Sequence, residues 1–109
     1  MSAVYVVRPK ADHDLDEQAY YFATKAEPDL GHRFLLAAHK TFSLLAMQPQ
    51  MGWRARLENP VLASLRVFRV SGFEKMLVLY RPSPDGVEIL RVIHASRKIV
   101  ALLRREGVE

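Results

Sequence analysis

The sequence contains no cysteine, so a disulfide framework, a thiolate nucleophile and a cysteine-based metal site are all excluded. It has a single tryptophan among 109 residues and no window approaching 18 uncharged apolar residues, which removes a membrane-spanning helix from consideration. Residues 1–9 show no basic segment leading into a long apolar one, as a secretory leader would. G-x-S-x-G, H-E-x-x-H, P-loop and G-x-G-x-x-G patterns are missing, and with them any sign of a nucleophile elbow, a zincin or a nucleotide fold. The four histidines include no pair at metal-ligand spacing, so neither a metal nor a cofactor is expected. The expectation from these absences is a cytoplasmic protein with no membrane attachment.

What is present is a core and an uneven charge. Half of the residues are hydrophobic, enough for one domain spanning 1–109. The formal charge is +4, but residues 1–50 carry five Lys/Arg against six Asp/Glu, whereas residues 51–109 carry eleven against six. The basic excess therefore lies in the C-terminal half, where an anionic partner would be met.

Ala3–Arg8 is β-branched and aromatic and stops at Pro9, which marks a first strand. Leu15, Ala19, Phe22, Ala23 and Ala26 then recur with helical period over residues 10–25, with Asp12, Asp14, Asp16 and Glu17 near the positive end of the helix dipole. Pro28 restarts the chain at a first helical position, and Leu30, Phe34, Ala37, Ala38, Thr41, Phe42 and Leu45 stripe a second helix over 28–47 that Pro49 ends. So short a link forces an antiparallel hairpin. Residues 49–60 hold two prolines and no period, and read as a loop crossing from helices to sheet, either functional in its own right or a surface crossover anchored by Trp53.

Three apolar runs follow, Leu65–Val70, Met76–Arg81 and Val87–His94, punctuated by Ser71-Gly72 and by Ser83-Pro84-Asp85-Gly86. Residues 96–105 read as a short basic helix. The order predicts an α+β fold: an N-terminal strand, an antiparallel helical hairpin packed on a three- to four-stranded antiparallel sheet, and a short C-terminal helix.

The strands carry Arg66, Arg69, Arg81 and Arg91 within their apolar runs, with His94 at the exit of the last and Arg97 and Lys98 just beyond. The arginines could be solvated residues that keep an uncovered sheet face soluble; guanidinium groups also hold phosphate or carboxylate bidentately, and two functional readings follow. In one, Arg66, Arg81 and His94 cleave RNA without a metal. In the other, Arg69, Arg91, His94, Arg97 and Lys98 bind a protein partner and the chain has no chemistry of its own.

The chain resembles the ParE branch of the RelE/ParE toxins of bacterial type II toxin–antitoxin systems. The likeness runs through Asp14-Leu15, Tyr20-Tyr21, Phe34, Phe42, Leu45, Pro49, Met51-Gly52, Leu65-Arg66, Leu79-Tyr80-Arg81 and Gly86-Val87-Glu88-Ile89-Leu90-Arg91-Val92-Ile93-His94. It implies the same fold and a toxin neutralised by a cognate antitoxin, small, acidic and partly disordered, in a heterotetramer or larger assembly. ParE-like members are associated with poisoning DNA gyrase; RelE-like members cut mRNA on the ribosome, commonly with a Tyr or His near the C-terminal end. Here Ala95 follows His94 and no Tyr comes after Tyr80, which favours gyrase over the ribosome. The family often places Ser or Thr before the helix-starting proline, where this chain has Arg8.

Overall fold

A computed structural model describes residues 3–55 and 64–96. Strand β1 (Val4–Val7) leads into α1 (Pro9–Lys25) and α2 (Pro28–Met47), followed by β2 (Trp53–Arg54), β3 (Arg66–Val70), β4 (Phe73–Ser83) and β5 (Gly86–His94). The strands form one sheet in the order β1-β5-β4-β3-β2. The expected α+β layering is present. The sheet, however, has five strands rather than three or four, and β1 joins β5 in parallel, with Tyr5 opposite Val87 and Val7 opposite Ile89. An apolar alternation states which side chains face inward and is silent on strand direction. The C-terminal helix expected over 96–105 lies outside the described residues.

Both helices start as the prolines dictate. Pro9 and Pro28 occupy first-turn positions, after Arg8 and Glu27, neither of which makes a side-chain cap. Arg8 instead donates its backbone N–H to the Ile89 carbonyl at 2.9 Å, which ties the start of α1 to the sheet. The hairpin closes tightly at Gly31, where a Cβ would stand 2.5 Å from the Ala19 carbonyl oxygen of α1.

The core lies between helices and sheet. Ala11 and Leu15 of α1 and Phe34, Ala38, Phe42 and Leu45 of α2 meet Val70, Met76, Val78, Tyr80, Val87, Ile89 and Val92. Phe22, Phe34 and Phe73 pack with ring centroids 5.2–5.4 Å apart. A second cluster, Leu65, Val67 and Leu79, is buried on the other face of the sheet. That face therefore carries a buried apolar patch beside its exposed arginines, Arg69 and Arg81.

Two features bend the sheet to its final shape. Gly72 takes φ +81° in the β3–β4 turn, a left-handed conformation open to glycine. Thr41 of α2 steadies that turn, accepting the Ser71 N–H at 3.1 Å while donating to Ala37 O at 2.8 Å. Between Leu79 and Tyr80 the β4–β5 register shifts, so that Leu79 faces Arg91 and Tyr80 faces Ile89.

Candidate functional site

The strand arginines separate into those held by carboxylates and those that are not. Arg91 belongs to the first group. Its Nε and Nη2 donate to Asp14 Oδ2 and Oδ1 at 2.6 and 2.8 Å, and the Val92 N–H adds a third bond to Oδ2 at 3.0 Å. β1 ends opposite Ile89, so Asp14 takes the place on β5 that a longer β1 would have filled. Arg91 is 8% exposed. Expected at the partner surface, it is turned inward as a clamp between α1 and the sheet. A run of acidic residues at a helix start had a sufficient local explanation, and nothing in the sequence marks Asp14 as the one that is buried.

Arg81 is also engaged. Its guanidinium donates to Glu88 Oε1, with Nε at 2.9 Å, and Arg8 approaches the same carboxylate at 3.9 Å. Arg33 on α2 meets Glu27 and Asp29.

His94 is exposed at the end of β5. Its Nδ1 accepts the Ser96 N–H at 3.1 Å and lies 2.8 Å from Ser96 Oγ. In that bond Nδ1 is the acceptor. The ring borders an apolar cleft of about 410 Å³ with Tyr21, Phe22, Phe73 and Met76.

The three residues named for RNA cleavage do not converge. His94 lies opposite Met76 and Arg81 opposite Glu88, five residues apart along β4, so the two stand ~17 Å apart along the sheet. They also point to opposite faces, because the alternation that puts Met76 against the helices turns Arg81 away. Arg66, opposite Tyr80, stands ~13 Å along the strand from the level of His94.

Arg66 has a different environment. It donates to Gly52 O at 2.6 Å and to Gln50 Oε1 at 2.5 Å, both on the segment joining α2 to β2. Tyr80 holds the same segment from beneath: its hydroxyl accepts the Gly52 N–H at 2.9 Å and donates to Pro49 O at 2.8 Å. Burial pushes the Tyr80 hydroxyl above the ordinary tyrosine range, against the opposing pull of the Gly52 N–H and the Arg66 charge. Gly52 permits this approach, since a Cβ there would stand 2.5 Å from the Tyr80 oxygen.

Beyond the pinned segment, Trp53 is 43% exposed and Arg69 lies over its ring, 5.1 Å from the centroid. Arg54 is exposed directly opposite Arg66. Trp53 and Arg54 were absorbed into a crossover by the sequence pattern, because a strand of two residues has no period to detect. Arg97 and Lys98 lie outside the described residues.

A family model described as "ParE toxin of type II toxin-antitoxin system, parDE" matches residues 5–99. A solved structure titled "Chromosomal ParDE TA system from P. aeruginosa" is similar in fold, with a TM-score of 0.67 at 18% identity, covering 86% of this chain and 95% of that one. No curated protein matches the sequence. The helical hairpin on a β1-β5-β4-β3-β2 sheet and a family match over nearly the whole chain agree, and the chain belongs to the ParE toxin family of type II toxin–antitoxin systems.

Proposed function

We propose that the protein inhibits DNA gyrase by binding and is neutralised by a cognate acidic antitoxin. The observation that carries this reading is the scatter of Arg66, Arg81 and His94 over separate strands and both faces of the sheet. A metal-free ribonuclease needs its cations and its acid or base around one phosphate, within hydrogen-bond reach of the reacting atoms. Arg81 is tied to Glu88 and Arg66 to the loop carbonyls. Binding, by contrast, needs only a rigid surface with charge of one sign. Exposed Arg69, and His94 at the rim of the apolar cleft, support this reading.

Antitoxin neutralisation has a physical basis in the same charge distribution. A C-terminal half rich in cations attracts an acidic, disordered segment, with fast and salt-sensitive association. The test is gyrase supercoiling with purified protein. Inhibition relieved by the co-expressed acidic neighbour is the expected result. Normal supercoiling at high protein excess, together with codon-specific cuts in a translated message, would replace this reading with the ribosomal one.

A further inference from the structure

Seven arginines lie in the described residues, and their partners divide them by location. Arg8, Arg33, Arg81 and Arg91 each meet a carboxylate. Arg54, Arg66 and Arg69 meet none among the described residues, and all three lie at the β2–β3 edge of the sheet. Arg54 and Arg66 are paired directly across the two strands, an arrangement of like charges that destabilises a sheet unless something anionic joins it.

The edge is also rigid. Tyr80 and Arg66 fix residues 49–52 from below, so Trp53 and Arg54 leave a pinned base rather than a free loop. Trp53 pairs with Val67, on the same face as Arg69, whereas Arg54 and Arg66 share the face that carries Tyr80. Cations thus flank β2, the last strand of the sheet among the described residues, on both faces.

We infer that this edge, Trp53, Arg54, Arg66 and Arg69, is the docking surface for an acidic polypeptide segment lying along β2. The inference rests on the toxin–antitoxin reading in that the antitoxin would supply the segment. Aromatic and arginine side chains on a preorganised base are the composition of an interface hot spot. The stacking geometry favours polypeptide over nucleic acid. Arg69 covers one face of the Trp53 ring and competes there with a stacking base, while a guanidinium so placed keeps its edge N–H groups for a carboxylate.

The probe is a short peptide of alternating glutamate and leucine, titrated into the full chain while the emission of its single tryptophan is followed. Saturable binding that shifts Trp53 emission is expected, weakening as salt approaches ~0.15 M, where screening acts within about 8 Å. Arg54→Gln and Arg69→Gln should each weaken binding about fivefold or more, and Arg33→Gln, which removes the same charge on α2, less than about twofold. Equal losses for all three variants, binding without a Trp53 signal, no binding at millimolar peptide, or tighter binding of an oligothymidylate of equal charge would each overturn the inference. Arg54 is exposed with no described side-chain partner, so its variant folds as the parent does, and thermal melting verifies this. Gyrase inhibition that persists when the peptide fails to bind sinks the docking surface alone; loss of inhibition in the parent protein sinks the function.

Discussion

Asp14 and Arg91 are 77 positions apart in the chain and meet in a two-pronged ion pair, with side chains 11% and 9% exposed. The pair joins the first helix to the last described strand, and its carboxylate also holds the Val92 N–H. Arg91→Ala leaves a buried carboxylate without its cation and should destabilise the fold by about 3–5 kcal/mol. Replacing both partners with apolar residues, Asp14→Leu with Arg91→Met, should lose much less than the two single changes together. Urea denaturation of the three variants measures both effects. Equal destabilisation by the single and the double change would mean that the pair contributes through its shape and not through charge.

Tyr80 gives a pH dependence that can be isolated. Burial raises its hydroxyl above the ordinary value near 10, so the folded protein holds this proton more tightly than the unfolded chain does. The stabilisation is complete below pH 10 and is lost as pH rises toward the folded value. Tyr80→Phe removes bonds to Gly52 and Pro49 and should lower stability near neutrality by about 1–3 kcal/mol. The difference between parent and variant should shrink above pH 10, and a gap that stays constant there would contradict a raised hydroxyl.

Both helices, the order of elements and most core positions were legible because helical stripes and proline boundaries are local signals. Phe34, Ala38, Thr41, Phe42 and Leu45 are buried as their spacing requires. The parallel docking of β1, the two-residue β2 and the inward turn of Arg91 were not legible, because each depends on a partner distant in the chain. Among the site residues, periodicity located the strand arginines. It could not separate Arg69, which lies on Trp53, from Arg81, which lies on Glu88.

Gly52 and Gly72 should respond differently to alanine. At Gly52 the added methyl meets the Tyr80 oxygen and the Val67 carbonyl oxygen at 2.5 and 2.7 Å, so the pinned segment must move. A loss of about 1–3 kcal/mol is expected, with a change in Trp53 emission as β2 shifts. At Gly72 no atom lies within 4 Å of the new Cβ, and only the backbone at φ +81° resists. That change should lose about 1 kcal/mol, and Gly72→Asn less, since asparagine tolerates the left-handed region. Chemical denaturation ranks the three, and unaltered emission in Gly52→Ala would show that the segment is not held as described.

Arg81 and His94 separate binding from catalysis most directly. In the binding reading Arg81 serves an exposed pair with Glu88, and such pairs contribute about 0–1 kcal/mol. Arg81→Gln should then leave both stability and growth inhibition close to those of the parent. His94→Ala removes the Ser96 contacts and one polar ring at the rim of the cleft, a change expected to weaken target binding modestly while leaving the fold intact. In a ribonuclease either residue would act on the reacting phosphate or its proton, and loss of an acid or base there lowers the rate by about 10²–10⁴-fold. A growth-inhibition titration at matched expression distinguishes a modest change from a loss of that size. Abolition of toxicity by both variants with unchanged melting temperatures would mean that partner binding draws Arg81 and His94 into one site. The free chain holds them on opposite faces of the sheet, so such a result would require a rearrangement of β4 and β5 and would return the assignment to RNA cleavage.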